Sequence, residues 1–240
     1  MNWIRKYVYG KKYSKNTRNM FIEKPIFDST DVDISELELR KGGVYYVACP
    51  LRYTNVIQYL KQTIDVSKVF SVRVICSSYL PDWRPGVDYR NTYSAHKDLG
   101  GGVSIDLIHE WDYMTYLFGI PKQVVNINGT YSDLELDSDD CSIYIGKSDS
   151  LLYELHLDYF GRERIRKIEI FMEDDTVVGD LENAEVCYLR SGKKVSFREV
   201  RNDYQIKEIA HFLDLIEGKA ENENTIENAL EVLKITKGEL

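Results

Sequence analysis

The sequence has few cysteines, no long apolar run and no excess of positive charge. Its four cysteines, Cys49, Cys76, Cys141 and Cys187, lie far apart without a C-x-x-C pair. They predict reduced core thiols of a cytoplasmic protein, and neither a zinc site nor a disulfide framework. No apolar run approaches the roughly 20 residues of a membrane span. The net charge of −8 argues against a nucleic-acid partner, because a phosphate-binding surface needs clustered Lys and Arg.

Metal ligands are also poorly organised. The acidic cluster between Asp133 and Asp140 lacks the glycine-centred spacing of an EF-hand, so it indicates a solvated loop. No metal site is predicted.

The first quarter of the chain has the pattern of alternating strands and helices. Basic and aromatic residues interleave from Met1 to Met20 and predict a surface helix before a strand that ends near Glu23. Ile34 to Leu39 reads as a short helix, and Val44 to Cys49 as a parallel strand buried on both faces. This order is typical of an α/β sheet.

From about Val69 the apolar residues recur at every second position. Phe70, Val72, Val74 and Cys76 are predicted to share one strand face. The segment Leu151 to Tyr159 alternates in the same way. Further candidate strands are 123–131, 142–145, 165–172, 176–180, 184–190 and 194–200, and a helix is predicted over 206–216. Strands this closely spaced indicate a mostly antiparallel open sheet with flanking helices, an α+β unit.

The segment from Gly100 to Gly119 is a glycine-rich turn followed by an amphipathic helical pattern. The glycines allow positive φ and close backbone approach. On the predicted helix, Asp106, His109 and Asp112 recur every third residue, so the carboxylates are expected to stack beside the imidazole. Such a constellation suits proton transfer, although acidic residues near a histidine are also common on solvated helix faces.

A second signal is the triplet Glu23-Lys24-Pro25 after an apolar strand. Pro25 disfavours helix at Lys24. The triplet therefore puts an ammonium at the carboxyl end of a strand, where open α/β sheets bind ligands.

Together these stretches resemble the Gfo/Idh/MocA family of NAD(P)-dependent oxidoreductases. Further matches are Pro50-Leu51-Arg52-Tyr53, Leu117-Phe118-Gly119 and Glu227-Asn228-Ala229-Leu230, so the resemblance covers nearly the whole chain. It implies hydride transfer between NAD or NADP and a hydroxyl-bearing carbon of a sugar, cyclitol or sugar derivative. It also implies a partial Rossmann-like domain over residues 1–65 and a substrate and oligomerisation domain over 66–240.

The resemblance also implies roles for individual residues. Lys24, His109 and Asp106 are the expected catalytic residues, with His109 as the base. Glu23, Lys24 and Pro25 are expected to contact the cofactor, and Arg52, Trp83, Arg84 and Asp112 the substrate. The three-residue spacing of Asp106 and His109 departs from the commonest family spacing of four, so His109 carries over more firmly. In the loop 79–90, aromatic rings with Arg84 and Arg90 would suit a sugar or an acidic sugar derivative.

One departure concerns the cofactor. The family begins with a strand and a G-x-G-x-x-G turn that binds the pyrophosphate, and this sequence contains no such turn. We therefore expect a truncated form that neither binds NAD(P) appreciably nor acts as a dehydrogenase alone. Two alternatives stay open: a non-catalytic sugar-binding or assembly subunit, and a cofactor-independent sugar lyase or isomerase. In each case we expect a homo-oligomer formed through the carboxyl-terminal sheet.

Overall fold

The computed structural model describes residues 15–240, so most of the predicted amino-terminal helix lies outside the described residues. Within them the strands are β1 (Asn19–Ile22), β2 (Val44–Val47), β3 (Val69–Ser77), β4 (Gln123–Gly129), β5 (Cys141–Lys147), β6 (Leu152–Asp158), β7 (Ile165–Met172), β8 (Thr176–Asp180), β9 (Glu185–Tyr188) and β10 (Lys194–Ser196). The α-helices are α1 (Asn55–Thr63), α2 (Val103–Asp106), α3 (His109–Phe118), α4 (Asp203–Ile216) and α5 (Ile226–Thr236).

The strands form two sheets. β1 and β2 pair in parallel, and the other eight form one sheet in the order β10-β9-β8-β7-β3-β6-β5-β4. In this large sheet only β3 and β6 run parallel. The predicted combination of a small α/β part and a mostly antiparallel open sheet with flanking helices is confirmed. None of the described helices is long and apolar enough to cross a bilayer.

The core lies between one face of the large sheet and the helices α1, α3 and α5. Trp111 of α3 is fully buried and meets the Tyr144 ring edge-on at 5.4 Å. The Tyr144 hydroxyl donates to the Thr236 carbonyl at the end of α5. Gly179 lets α1 approach β8, because a Cβ there would come within 2.9 Å of Val56. These contacts fix α3, and therefore His109, over the sheet.

Two local predictions need correction. The segment Ile34–Glu36 forms only a single 3₁₀ turn. In β3, a register shift between Val69 and Ser71 turns Phe70 outward. The buried face therefore begins with Val69 and continues with Val72, and the extra residue reverses the expected side of Phe70.

The predicted boundary at residue 65 is not visible as a gap in packing. Tyr45 and Val47 of the small sheet belong to the same buried apolar cluster as Val72 and Val74 of the large one. The division into residues 1–65 and 66–240 stays a prediction.

Candidate functional site

The structure brings two of the predicted catalytic residues, Lys24 and His109, to the same cavity. β1 ends at Ile22, and the Lys24 ammonium donates a hydrogen bond to the Asp106 carbonyl oxygen at 2.7 Å. His109 is the first residue of α3. Lys24 and His109 line the same cavity of about 20 Å³, together with Pro25, Ala48 and Asp112. Residues 85 positions apart in sequence thus face one small space.

The environment keeps the His109 imidazole neutral. Lys24 and His109 are both partly exposed, and most of each residue is surrounded by protein atoms. Burial lowers the pKa of His109 well below 6.5, and the charges of Lys24 and Arg166 lower it further. Burial also lowers the pKa of Lys24 from 10.5, an effect that Asp106 and Glu110 oppose. A neutral imidazole beside an ammonium can accept a proton and favours a developing negative charge nearby.

Asp106 does not orient His109 as expected. The helical pattern is broken at Leu107 and Ile108, so Asp106 closes α2 while His109 opens α3. The Asp106 carboxylate instead accepts hydrogen bonds from Ser94 Oγ at 2.6 Å and from the Tyr159 hydroxyl at 2.7 Å. Asp106 therefore serves the site through its carbonyl, which holds Lys24.

Asp112 is likewise engaged elsewhere. Arg52 donates through Nε and Nη2 to the two Asp112 oxygens, each at 2.8 Å, and also to Asn224 Oδ1 at 3.1 Å. Arg52 and Asp112 are both buried. The pair joins the loop after β2 to α3, and the substrate contacts expected of these two residues stay predictions. Asp112 lines the cavity that Lys24 and His109 also line.

The glycine run has a structural use. A Cβ at Gly101 would lie 2.0 Å from the Tyr93 carbonyl oxygen, and Gly102 has φ of 123°. Behind the run, the Asp139 carboxylate accepts from the Ser104 amide at 3.0 Å and the Asp139 carbonyl accepts from the Val103 amide. The close approach predicted for the glycines is therefore to the protein's own backbone, and it places α2.

An open cleft of about 510 Å³ extends from the other side of His109. Trp83 lines it, donates Nε1–H to Ser78 Oγ at 2.9 Å and packs edge-on against Tyr159 at 5.2 Å. Arg84 also lines the cleft, whereas Arg90 lies outside it and pairs with Asp88 and Glu135. Trp83 and Arg84 thus remain candidates for substrate contact.

Sequence reasoning missed a buried ion pair at the floor of this cleft. Arg166 of β7 lies 2.8 Å from Glu110 of α3, and Glu110 is fully buried. Burial raises the pKa of Glu110, and Arg166 opposes the rise. Nothing local in the sequence indicates this pairing. Tyr159, Ser94 and Arg162 were missed for the same reason.

Two predicted assignments stay open. Glu23 is exposed and Pro25 is buried beside Lys24, so their cofactor contacts stay predictions.

The side chains of His96, Asp98 and Asp137 offer ligand atoms within 4.8 Å of one another. His96 Nε2 already contacts the Arg90 carbonyl at 2.7 Å and the two aspartates are exposed, so we assign no metal there.

Comparison with known proteins identifies solved structures with the same fold. Neither a family model nor a curated protein matches the sequence. Among solved structures, levoglucosan dehydrogenase in complex with NADH superposes with a TM-score of 0.83 at 15% identity, over 99% of this chain and 74% of that one. UDP-N-acetylglucosamine 3-dehydrogenase from Acidithiobacillus ferrooxidans gives 0.79 at 17% identity, over 100% and 75%. The gentamicin A biosynthesis protein GenD2 in complex with NAD gives 0.79 at 16%, over 99% and 73%.

The chain has the Gfo/Idh/MocA fold. It spans about three quarters of the length of these matched structures. At this level of identity the match establishes architecture, and what the chain does must be argued from its own side chains.

Levoglucosan dehydrogenase and GenD2 were solved with NADH and with NAD, and the described residues of this chain meet only part of what such a dinucleotide requires. Lys24 and His109 supply polar groups for the reacting end. For the pyrophosphate, this architecture uses a glycine turn and a helix amino terminus directly after a strand. In residues 15–240, β1 runs into Glu23-Lys24-Pro25 and β2 into the proline-led turn Pro50–Tyr53. These residues do not fit the whole dinucleotide, so no step is derived through it.

Proposed function

We propose that this chain carries the substrate-binding and proton-transfer half of an NAD(P)-dependent oxidoreductase that acts on hydroxyl groups of sugars or related polyols. The observation that carries the proposal is the neutral His109 next to the Lys24 ammonium, at the base of an open cleft. The solved structures with this fold include a levoglucosan dehydrogenase and a UDP-N-acetylglucosamine 3-dehydrogenase, which supports a sugar as the substrate class.

In this proposal His109 accepts the hydroxyl proton of the substrate. An ammonium has three N–H donors, and the Asp106 carbonyl takes one from Lys24. The remaining two can face the substrate oxygen, where the positive charge stabilises the developing alkoxide.

The experiment is a panel of sugars, sugar nucleotides and cyclitols assayed with millimolar NAD or NADP, because cofactor binding is expected to be weak. Appearance of reduced nicotinamide with one substrate class is the expected result. His109→Ala should lower kcat by roughly 10² to 10⁴, the usual loss for a general acid or base. The control is His156→Ala, since His156 is half-exposed on the opposite face of β6. A His109 variant that keeps wild-type turnover would refute the assignment.

A second candidate is a sugar lyase or isomerase that needs no cofactor. The favouring observation is that the proton-transfer pair is assembled, whereas residues 15–240 form no pyrophosphate site. Product formation from the same panel without nicotinamide, lost in His109→Ala, would favour this candidate over the first.

A further inference from the structure

The cleft beside His109 concentrates positive charge in an acidic protein. The chain has a net charge of −8, yet the cleft is lined by four arginines and only two aspartates. The arginines are Arg84, Arg162, Arg164 and Arg166, and the aspartates are Asp82 and Asp106. Asp106 is buried and accepts hydrogen bonds from Ser94 and Tyr159, and Asp82 lies at the exposed rim, so four guanidinium groups face two carboxylates.

Two of the four arginines are neutralised by the protein. Arg166 pairs with the buried Glu110 at 2.8 Å. Arg164 lies 3.6 Å from Glu182 and its side chain is largely exposed. These two form the floor and one rim of the cleft, and each already has a carboxylate partner.

The other two arginines are held by aromatic rings instead. The Arg162 guanidinium lies 3.8 Å from the centroid of the Tyr79 ring, and that of Arg84 lies 5.5 Å from the Tyr93 ring. No carboxylate of residues 15–240 comes within ion-pair distance of either group. Stacking on a ring restricts the guanidinium plane while leaving its N–H edges available for an anion.

The same cleft also offers groups that suit a sugar. Trp83 presents an aromatic side chain. Gln205, in the first turn of α4, has a buried Oε1 without a hydrogen-bond partner in the described part of the chain. A carbonyl oxygen of this kind accepts a hydrogen bond from a hydroxyl. The volume of about 510 Å³ lies within the range typical of small-molecule pockets.

We infer that the substrate of this cleft is a phosphorylated sugar, with its phosphate group or groups bound between Arg84 and Arg162. The inference rests on the proposed function for the position of the reacting sugar beside His109. A phosphate is favoured over a carboxylate because one guanidinium already satisfies a carboxylate bidentately, whereas two guanidinium groups match the greater charge and additional oxygens of phosphate. The phosphate can belong to a sugar phosphate or to the diphosphate of a sugar nucleotide.

Calorimetric titration of the purified protein tests the inference without any turnover. The probes are inorganic pyrophosphate, UDP-glucose, glucose 6-phosphate and glucose. We expect pyrophosphate to bind and to compete with UDP-glucose, and glucose to bind at least about tenfold more weakly than the phosphorylated probes. Raising the salt concentration should weaken the phosphorylated probes and leave glucose unaffected. Comparing UDP-glucose with glucose 6-phosphate identifies which of the two sources is preferred.

The variants are Arg84→Gln and Arg162→Gln. Each should weaken pyrophosphate and UDP-glucose by roughly ten- to a hundredfold, the usual effect of losing a charge-assisted hydrogen bond. Arg190→Gln is the matched control, because Arg190 is exposed beyond β9 and does not line the cleft. Circular dichroism establishes that the variants are folded.

Equal affinity for glucose and UDP-glucose, absence of pyrophosphate binding, or affinities unchanged in both cleft variants would overturn the inference. Arginine-dependent binding of UDP-glucose in a protein that turns over no sugar would leave the inference standing and refute the proposed function. Turnover of neutral sugars only, dependent on His109 and without pyrophosphate binding, would refute the inference and leave the proposed function standing.

Discussion

At the scale of single residues, the chemistry depends on how burial sets the charge of His109. Its pKa lies well below 6.5 because the imidazole is desolvated and because Lys24 and Arg166 are near. A general base works in its unprotonated form. The neutral form of His109 is therefore present throughout the neutral range without a carboxylate to orient it.

This gives a pH prediction for any turnover that the sugar panel detects. Since the pKa is lowered, kcat/KM should stay flat down to pH 6.5 and fall only at lower pH, as His109 becomes protonated. The measurement is a pH–rate profile of the wild-type protein, with His156→Ala as the control. An acidic limb with its midpoint above 6.5 would contradict the assigned environment of His109.

At the scale of elements, α4 is attached to the small sheet through a buried carboxyl group. Glu208 of α4 accepts hydrogen bonds from the Cys49 amide and from the Tyr46 hydroxyl, the latter at 3.0 Å. Burial raises the pKa of Glu208 from 4.5 to about 7, although these hydrogen bonds oppose the rise. Between those values the folded protein holds a proton that the unfolded chain releases.

The pH dependence of stability follows from this difference. The stabilisation is fully present below pH 4.5 and is lost as the pH rises through about 7. Over that window Glu208 should lower the free energy of unfolding by up to about 3 kcal/mol. Urea unfolding of the wild type and of Glu208→Gln at several pH values measures the contribution, because glutamine keeps the acceptor oxygen but cannot ionise. Glu217→Gln, at the exposed end of α4, is the control. If the free energy of unfolding depended on pH in Glu208→Gln as it does in the wild type, the prediction would be contradicted.

At the scale of the whole molecule, the outer face of the large sheet exposes apolar side chains on two neighbouring strands. Val125 and Ile127 of β4 are more than 60% exposed and lie directly opposite Ile145 and Ile143 of β5. Tyr153 and Tyr159 of the alternating segment 151–159 are fully buried in the inner face and do not contribute to this patch. The predicted oligomer surface therefore consists of the other side of the sheet.

We expect a second copy of the chain to cover this outer patch, because cross-strand apolar pairs of this size favour association. Light scattering should show a dimer or larger species at micromolar concentration, and Ile127→Lys should shift it toward the monomer. Leu189→Lys is the matched control, since Leu189 is equally exposed beyond β9. A wild-type protein that is monomeric at tens of micromolar would count against the prediction.

Cofactor binding is also a property of the whole molecule. Because residues 15–240 provide polar groups for the nicotinamide end but no pyrophosphate site, we expect no saturable NADH binding in the micromolar range. The measurement is a fluorescence titration of NADH into the purified protein, with Lys24→Met as the variant. Micromolar binding that Lys24→Met abolishes would mean that the chain builds a cofactor site from residues assigned here to other roles.

The sequence by itself determined the local features: the strand spacing, the Glu23-Lys24-Pro25 strand end and the glycine run before His109. These follow from side-chain periodicity and backbone preference, which act over a few residues. The outward side of Phe70 was missed because one extra residue at the start of β3 puts Phe70 out of phase with the alternation of the rest of the strand.

Only the tertiary structure decided which side chains the site contains. Asp106 meets Tyr159 across 53 positions, Arg52 meets Asp112 across 60, and Arg166 of β7 meets Glu110 of α3. A carboxylate on a helical pattern can bind an imidazole, an arginine or a hydroxyl equally well, and spacing does not distinguish them. The choice among these partners depends on which elements the sheet brings together, because a buried charge is stable only where a partner from another element can satisfy it.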